Sequence, residues 1–100
     1  MLPISELQHM VHDNAINKGF WESQISSSVP TKLCLIHSEV SEAMEAHRDG
    51  DDTHIGEELA DIIIRVMDLA GGLNINIEAE LVSKHYKNLD RPRLHGNKRY

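Results

Sequence analysis

Four acidic side chains stand in two pairs of equal spacing: Glu39 and Glu42 in E-V-S-E, and Glu58 and Asp61 in E-L-A-D. Carboxylates three residues apart lie on nearly the same face of a helix. Like charges so placed repel one another by a few tenths of a kcal/mol, and a cation held between them offsets that cost. Both pairs adjoin the most apolar segments of the chain, and the link between them is short. Their helices are therefore expected to pack antiparallel, so that the four carboxylates converge. Four hard oxygen ligands with no soft ligand nearby suit Mg²⁺, with Mn²⁺ as a substitute. For a single E-x-x-E an ordinary solvated acidic face is the commoner explanation; two pairs on adjacent helices bring the metal reading level with it. A di-iron site is the competing metal reading, because ferritin-like bundles repeat Glu-x-x-His on two helices. Here Glu6 and His9 form the only such match, and His37 points away from the first acidic pair.

The cationic counterpart lies near the C-terminus. Lys84, Asn88 and Arg91, spaced four and three apart, are expected on one helical face, and Arg93, His95 and Lys98 follow. Opposite a carboxylate-held metal such a stripe suits a polyphosphate, since metal and cations contact the same oxygens. A solvated basic face explains the stripe about equally well. Residues 84 to 100 hold six Lys and Arg against Asp90 alone, a net charge of +5, so the rest of the chain carries -11 within a total of -6. An acidic body with a short basic tail is not the footprint of a general nucleic-acid binder.

The elements that must position these groups are helical. The chain has 100 residues, 40% hydrophobic and 26% charged, with three prolines, which fits one globular domain over residues 1–100. Ser5-Glu6-Leu7-Gln8 has the form of a capping box after Pro3. Leu7, Met10, Val11 and Ala15 follow at helical spacing, and Gly19 closes the helix. Pro30 suits the first turn of a second helix running to about Asp49, with an apolar stripe of Leu33, Ile36, Val40, Ala43, Met44 and His47. D-G-D-D-T offers a turn and capping residues. A third helix is expected from about His54 to Ala70, with Ile55, Leu59, Ile62, Ile63, Val66 and Leu69 as its apolar face and Gly71-Gly72 as its stop. Asn76 can cap a fourth helix reaching about Asp90, before Pro92 and an irregular basic tail. No period-two run of β-branched residues appears. The expected fold is all-α, a four-helix bundle. A core this small is often completed by oligomerisation, and the apolar face of the third helix is too wide for one partner. Cys34, inside an apolar run, is expected to be buried. The start lacks the pattern of a signal peptide, and no uncharged apolar stretch approaches the roughly 20 residues of a membrane span. A cytoplasmic location is the expectation.

E-x-x-E, then E-x-x-D on the next helix, then S-K-H-Y-K-N-L-D-R-P-R-L-H-G-N-K-R, resembles the MazG-like nucleoside triphosphate pyrophosphohydrolases of the all-α NTP pyrophosphatase superfamily. The similarity spans roughly residues 5 to 99, and its most specific parts are E-E-L-A-D-I-I-I-R-V-M-D-L-A-G-G-L-N-I and the closing K-x-x-x-N-x-x-R-P…H-G segment. The resemblance implies Mg²⁺-dependent hydrolysis of a nucleoside triphosphate between the α and β phosphates, with Glu39, Glu42, Glu58 and Asp61 as the metal ligands. It places Lys84, Asn88 and Arg91 on the phosphates, and a base near the first helix and the aromatic loop, where His12 and Trp21 stand with Phe20 beside them. Trp21 fits equally well as a core aromatic that closes the bundle. The fuller family motif often begins E-E-x-x-E, whereas this chain has Ser38 at the first position, which leaves Glu57 as a substitute general base. Asp68 is expected to support the ligands or to pair with Arg65. The implied assembly is a homodimer or homotetramer, and the implied role is nucleotide-pool cleaning. Two other classes stay open: a nucleotide-sensing regulatory module without turnover, and an interaction protein that uses its basic tail.

Overall fold

The computed structural model describes residues 2–92. Within them the chain forms α1 (Ile4–Asn17), α2 (Val29–Arg48), α3 (Ile55–Gly72) and α4 (Ile77–Leu89), with no strand among the described residues. The expected all-helical architecture of four helices is observed. Arg93, His95 and Lys98, and with them the basic tail, lie outside the described residues.

Local chemistry explains most of the helix ends. The Ser28 hydroxyl accepts from Thr31 N–H at the start of α2, where Pro30 fits the first turn. Asn76 Oδ1 accepts from Ala79 N–H at the start of α4. α1 and α2 end on Gly19 and Gly50, both at positive φ (88° and 82°). In each case the following N–H (Phe20, Asp51) returns to a carbonyl five residues back (Ala15, Ala46). α3 closes in the same way, but its left-handed residue is Asn74, at φ 58°, with Ile75 N–H bonded to Ala70 O.

Four expectations are corrected here. The S-x-x-Q pattern is not a capping box: α1 is capped by Pro3, without a side-chain bond. Ser5 N–H instead bonds Glu78 Oε1 on α4. Gln8 is buried, donating to Ile75 O at 2.7 Å and accepting from Ile77 N–H at 3.1 Å. Both residues tie α1 to the start of α4. Next, Gly71 and Gly72 do not stop α3 but belong to its last turn. Their lack of a side chain serves packing. A Cβ on Gly71 would sit 2.8 Å from His12 Cβ and Cγ, and one on Gly72 would overlap the Trp21 ring. Finally, Cys34 is exposed, since α2 packs through the turns that carry Ile36, Glu39 and Ala43 and leaves Leu33 and Cys34 outside. His47, expected in the apolar stripe, is also exposed and pairs with Asp52.

α3 is the central element. It packs on α2 along one side and on α1 along the other, while α4 packs on α1. The six-residue link makes α2 and α3 a hairpin, with Glu39 across from Arg65. Contacts of His12 with Asp68 and of Gln8 with Ile75 show that α1 also runs antiparallel to α3. Among the described residues the buried apolar set is small, Ala15, Ala43, Met67, Leu69 and Ala70, and no large side chain is fully buried. Of the expected apolar face of α3, Leu59 and Ile63 are about half exposed, and α4 buries no residue at all. Among the described residues no helix is long and apolar enough to cross a membrane.

Candidate functional site

A cleft of about 530 Å³ lies over α3, within the usual range for a small-ligand site. Its floor is the polar stripe of α3, made by Asp61, Arg65 and Asp68, which recur at four and three residues and so share a face. One wall is α1, through Leu7, Met10, Val11 and Asn14, and the other is α2, through Lys32 and Glu39. Phe20, from the α1–α2 connection, closes one end with its ring about half exposed.

Asp68 organises the end of the cleft nearest this aromatic. Its Oδ1 lies 2.8 Å from His12 Nδ1 and accepts from Trp21 Nε1 at 2.9 Å. With its proton on Nδ1, His12 donates to the same oxygen. Lys32 Nζ stands 3.8 Å from Asp68 Oδ2, donates to Phe20 O at 2.8 Å and lies 4.1 Å from the Trp21 ring centroid. The imidazole and indole meet edge to face, 5.1 Å between centroids. The Lys32 side chain is 7% exposed. Burial pushes its ammonium below the usual lysine range, Asp68 pulls it back up, and the charge of Arg65 adds to the lowering. This network fixes the α1–α2 connection to both α2 and α3. Of the two roles expected for Asp68, the pairing with Arg65 is not observed; Asp68 gathers His12, Trp21 and Lys32. Arg65 instead donates from Nε to Glu39 Oε1 at 2.9 Å.

The acidic pairs divide. Glu39 and Asp61 line the cleft, whereas Glu42 and Glu58 do not. Glu58 Oε2 is buried without a hydrogen-bond partner, an orphaned acceptor that a cation would satisfy. Among the described residues no three His, Cys, Asp or Glu side chains are gathered closely enough to hold an ion as they stand. The donor set is all oxygen and suits a hard divalent cation in kind. Glu57, considered as a base, is 83% exposed beside His54, not on the cleft. Lys84 and Asn88 share an exposed face of α4 and do not line the cleft. Arg91 falls beyond the helix, whose C-cap is Asp90, so the three do not form one helical stripe. Trp21 has its polar atom committed to Asp68 and its ring against Gly72. His12 borders a second, more open groove of about 420 Å³ on the far side of α1.

Two contributors were not singled out from sequence. Lys32 had no motif around it, and its only signal was a lone cation inside the apolar run T-K-L-C-L-I. Phe20 was visible as half of an aromatic doublet, but the solvent-facing partner could not be told from the packed one. Comparisons with family models, with curated proteins and with solved structures found no match.

Proposed function

We propose that the protein is a Mg²⁺-dependent hydrolase that converts a (deoxy)nucleoside triphosphate to the monophosphate and pyrophosphate. The observation that carries this reading is the cleft. It sets three carboxylates, Glu39, Asp61 and Asp68, and two cations, Lys32 and Arg65, beside an apolar recess ending in Phe20. That composition fits a charged triphosphate joined to a flat base. Glu39, Glu42, Glu58 and Asp61 would hold the metal, and the unpartnered Glu58 oxygen supports that assignment. When bound, Mg²⁺ supplies positive charge at the phosphate oxygens and makes a nearby water more acidic. Phe20 offers a face for the base, worth about 1–3 kcal/mol in stacking. His12 and Trp21 brace that end through Asp68. On the resemblance, Lys84, Asn88, Arg91, Arg93, His95 and Lys98 are also assigned to the phosphates, although Lys84 and Asn88 do not line this cleft.

A nucleotide-sensing module without turnover has two observations in its favour. Ser38 stands where a further acid is expected, and Glu39 is already engaged by Arg65. One assay separates the two readings, namely pyrophosphate release from a panel of dNTPs with Mg²⁺, with and without chelator. Turnover abolished by chelator supports the enzyme, while binding without turnover supports the sensor.

The assembly proposed is a homodimer or homotetramer. Leu59, Ile63 and Ile64 on α3 stand about half exposed, as do Leu81 and Val82 on α4, where Tyr86 and Leu89 are 64% exposed. A second copy of the chain covering such large apolar side chains would remove their surface from water. Analytical ultracentrifugation at micromolar concentration is expected to give at least a dimer, and a stable monomer would refute the assignment.

A further inference from the structure

We propose that Arg65 is a phosphate-binding residue of the cleft, held by Glu39 until an anion arrives and then shared with or passed to a phosphoryl oxygen. The identity of the anion, a nucleoside triphosphate, rests on the function proposed above; the role of the guanidinium rests on the geometry.

Arg65 rises from the floor of the cleft, one turn beyond Asp61 and one turn before Asp68. Only its Nε–H is engaged, by Glu39 Oε1 at 2.9 Å, and no hydrogen bond joins either terminal nitrogen to another described residue. A guanidinium has five donors in a planar fork that matches phosphate in bidentate fashion. The side chain is therefore oriented by one carboxylate while most of its donors remain available to a ligand in the cleft. Its exposure is intermediate, 37% against 20% for Glu39. The pair is thus more sheltered than a surface salt bridge, yet a soluble ligand can reach it.

The surrounding charges favour this exchange. Of the two anions one turn away along the stripe, Asp68 is committed to His12 and Trp21, and Asp61 makes no hydrogen bond or ion pair with Arg65 among the described residues. Lys32, on the neighbouring wall, lies close enough for the charge of Arg65 to disfavour its own. An anion between the two cations relieves that repulsion. Glu39 is also the one carboxylate claimed by two cations, Arg65 and the proposed divalent ion. A metal taking Glu39 weakens its hold on Arg65 at the moment when the triphosphate brings new acceptors. Binding of metal and triphosphate is then coupled through one residue. A plain α2–α3 salt bridge makes no such connection.

The test uses the full chain and its Arg65→Gln and Arg65→Lys variants, with two simple probes. Tripolyphosphate binding is measured by calorimetry with Mg²⁺ and with chelator, and Mn²⁺ binding alone by electron paramagnetic resonance. Arg65→Gln is expected to weaken tripolyphosphate binding by about tenfold to a hundredfold, the loss of one charged contact. The same change is expected to leave Mn²⁺ affinity equal or raised, because Glu39 is freed. Arg65→Lys, which keeps the charge without the fork, is expected to retain part of the anion affinity. Tripolyphosphate affinity unchanged in Arg65→Gln overturns the proposal, as does a parallel loss of both probes, or a wild-type chain that binds tripolyphosphate in neither buffer. If the wild type ignores Mn²⁺, the metal part of the proposed function fails, and the chelator arm still reports on Arg65.

Discussion

Replacing Glu42 by Gln, or Asp61 by Asn, is expected to lower pyrophosphate release by more than about a hundredfold while helical circular dichroism is retained. A neutral amide is a much poorer ligand for a hard cation than a carboxylate. Loss of a group that merely supports a ligand already costs about 10–100-fold, so loss of a proposed ligand is expected to exceed that. Neither side chain is part of the buried set, so the fold has little to lose. Glu42 lies three residues from both Glu39 and Glu45, and Asp61 three from Glu58 and four from Glu57, so each substitution removes two like-charge pairings on a helix. In metal-free buffer thermal stability is expected to hold or rise slightly. The two positions differ in one useful respect: Asp61 faces the cleft and Glu42 does not. Near-wild-type hydrolysis by both variants would remove the carboxylates from the chemistry.

The second large effect is on stability. Asp68→Ala is expected to destabilise the chain by about 3 kcal/mol or more, because it strands buried partners instead of deleting a free-standing contact. His12 Nδ1 and Trp21 Nε1 both lose the acceptor at 2.8 and 2.9 Å. The Lys32 ammonium keeps Phe20 O but loses the carboxylate that offsets its burial. For a domain of this size each kcal/mol corresponds to about 4–8 °C in Tm. The expected fall is therefore at least about 12 °C, read by thermal denaturation in metal-free buffer. Asp68→Asn, which keeps one oxygen at the site, is expected to lose less. A change of only a degree or two in Asp68→Ala would mean that the network is not holding the α1–α2 connection to the helices.

What could be read from sequence was what depends on near neighbours. Pro30, Gly19 and Asn76 all act within a few residues of themselves, and each marks a helix end as expected. Ser5 and Gln8 present the same kind of local pattern, but their partners are Glu78, Ile75 and Ile77, about seventy residues on. Gly71-Gly72 looks like a helix stop because glycine usually is one. It is required here by His12 and Trp21, which only the tertiary fold brings alongside. The acidic pairs were legible because i, i+3 spacing is a helical property. How they divide between the cleft and its surroundings depends on the register of α2 against α3, as does the Arg65–Glu39 pairing. No spacing rule contains that register. The role of Asp68 was hidden for a related reason, since its partners lie on α1, the α1–α2 connection and α2.

The most direct test of the proposed function is the identity of the products. Wild-type protein incubated with a dNTP and Mg²⁺, followed by phosphorus NMR, is expected to yield monophosphate and pyrophosphate together in equal amounts, with both signals abolished by chelator. Release of orthophosphate with a diphosphate would place the cleavage at the wrong bond. An unchanged triphosphate across all bases would contradict the enzyme reading altogether.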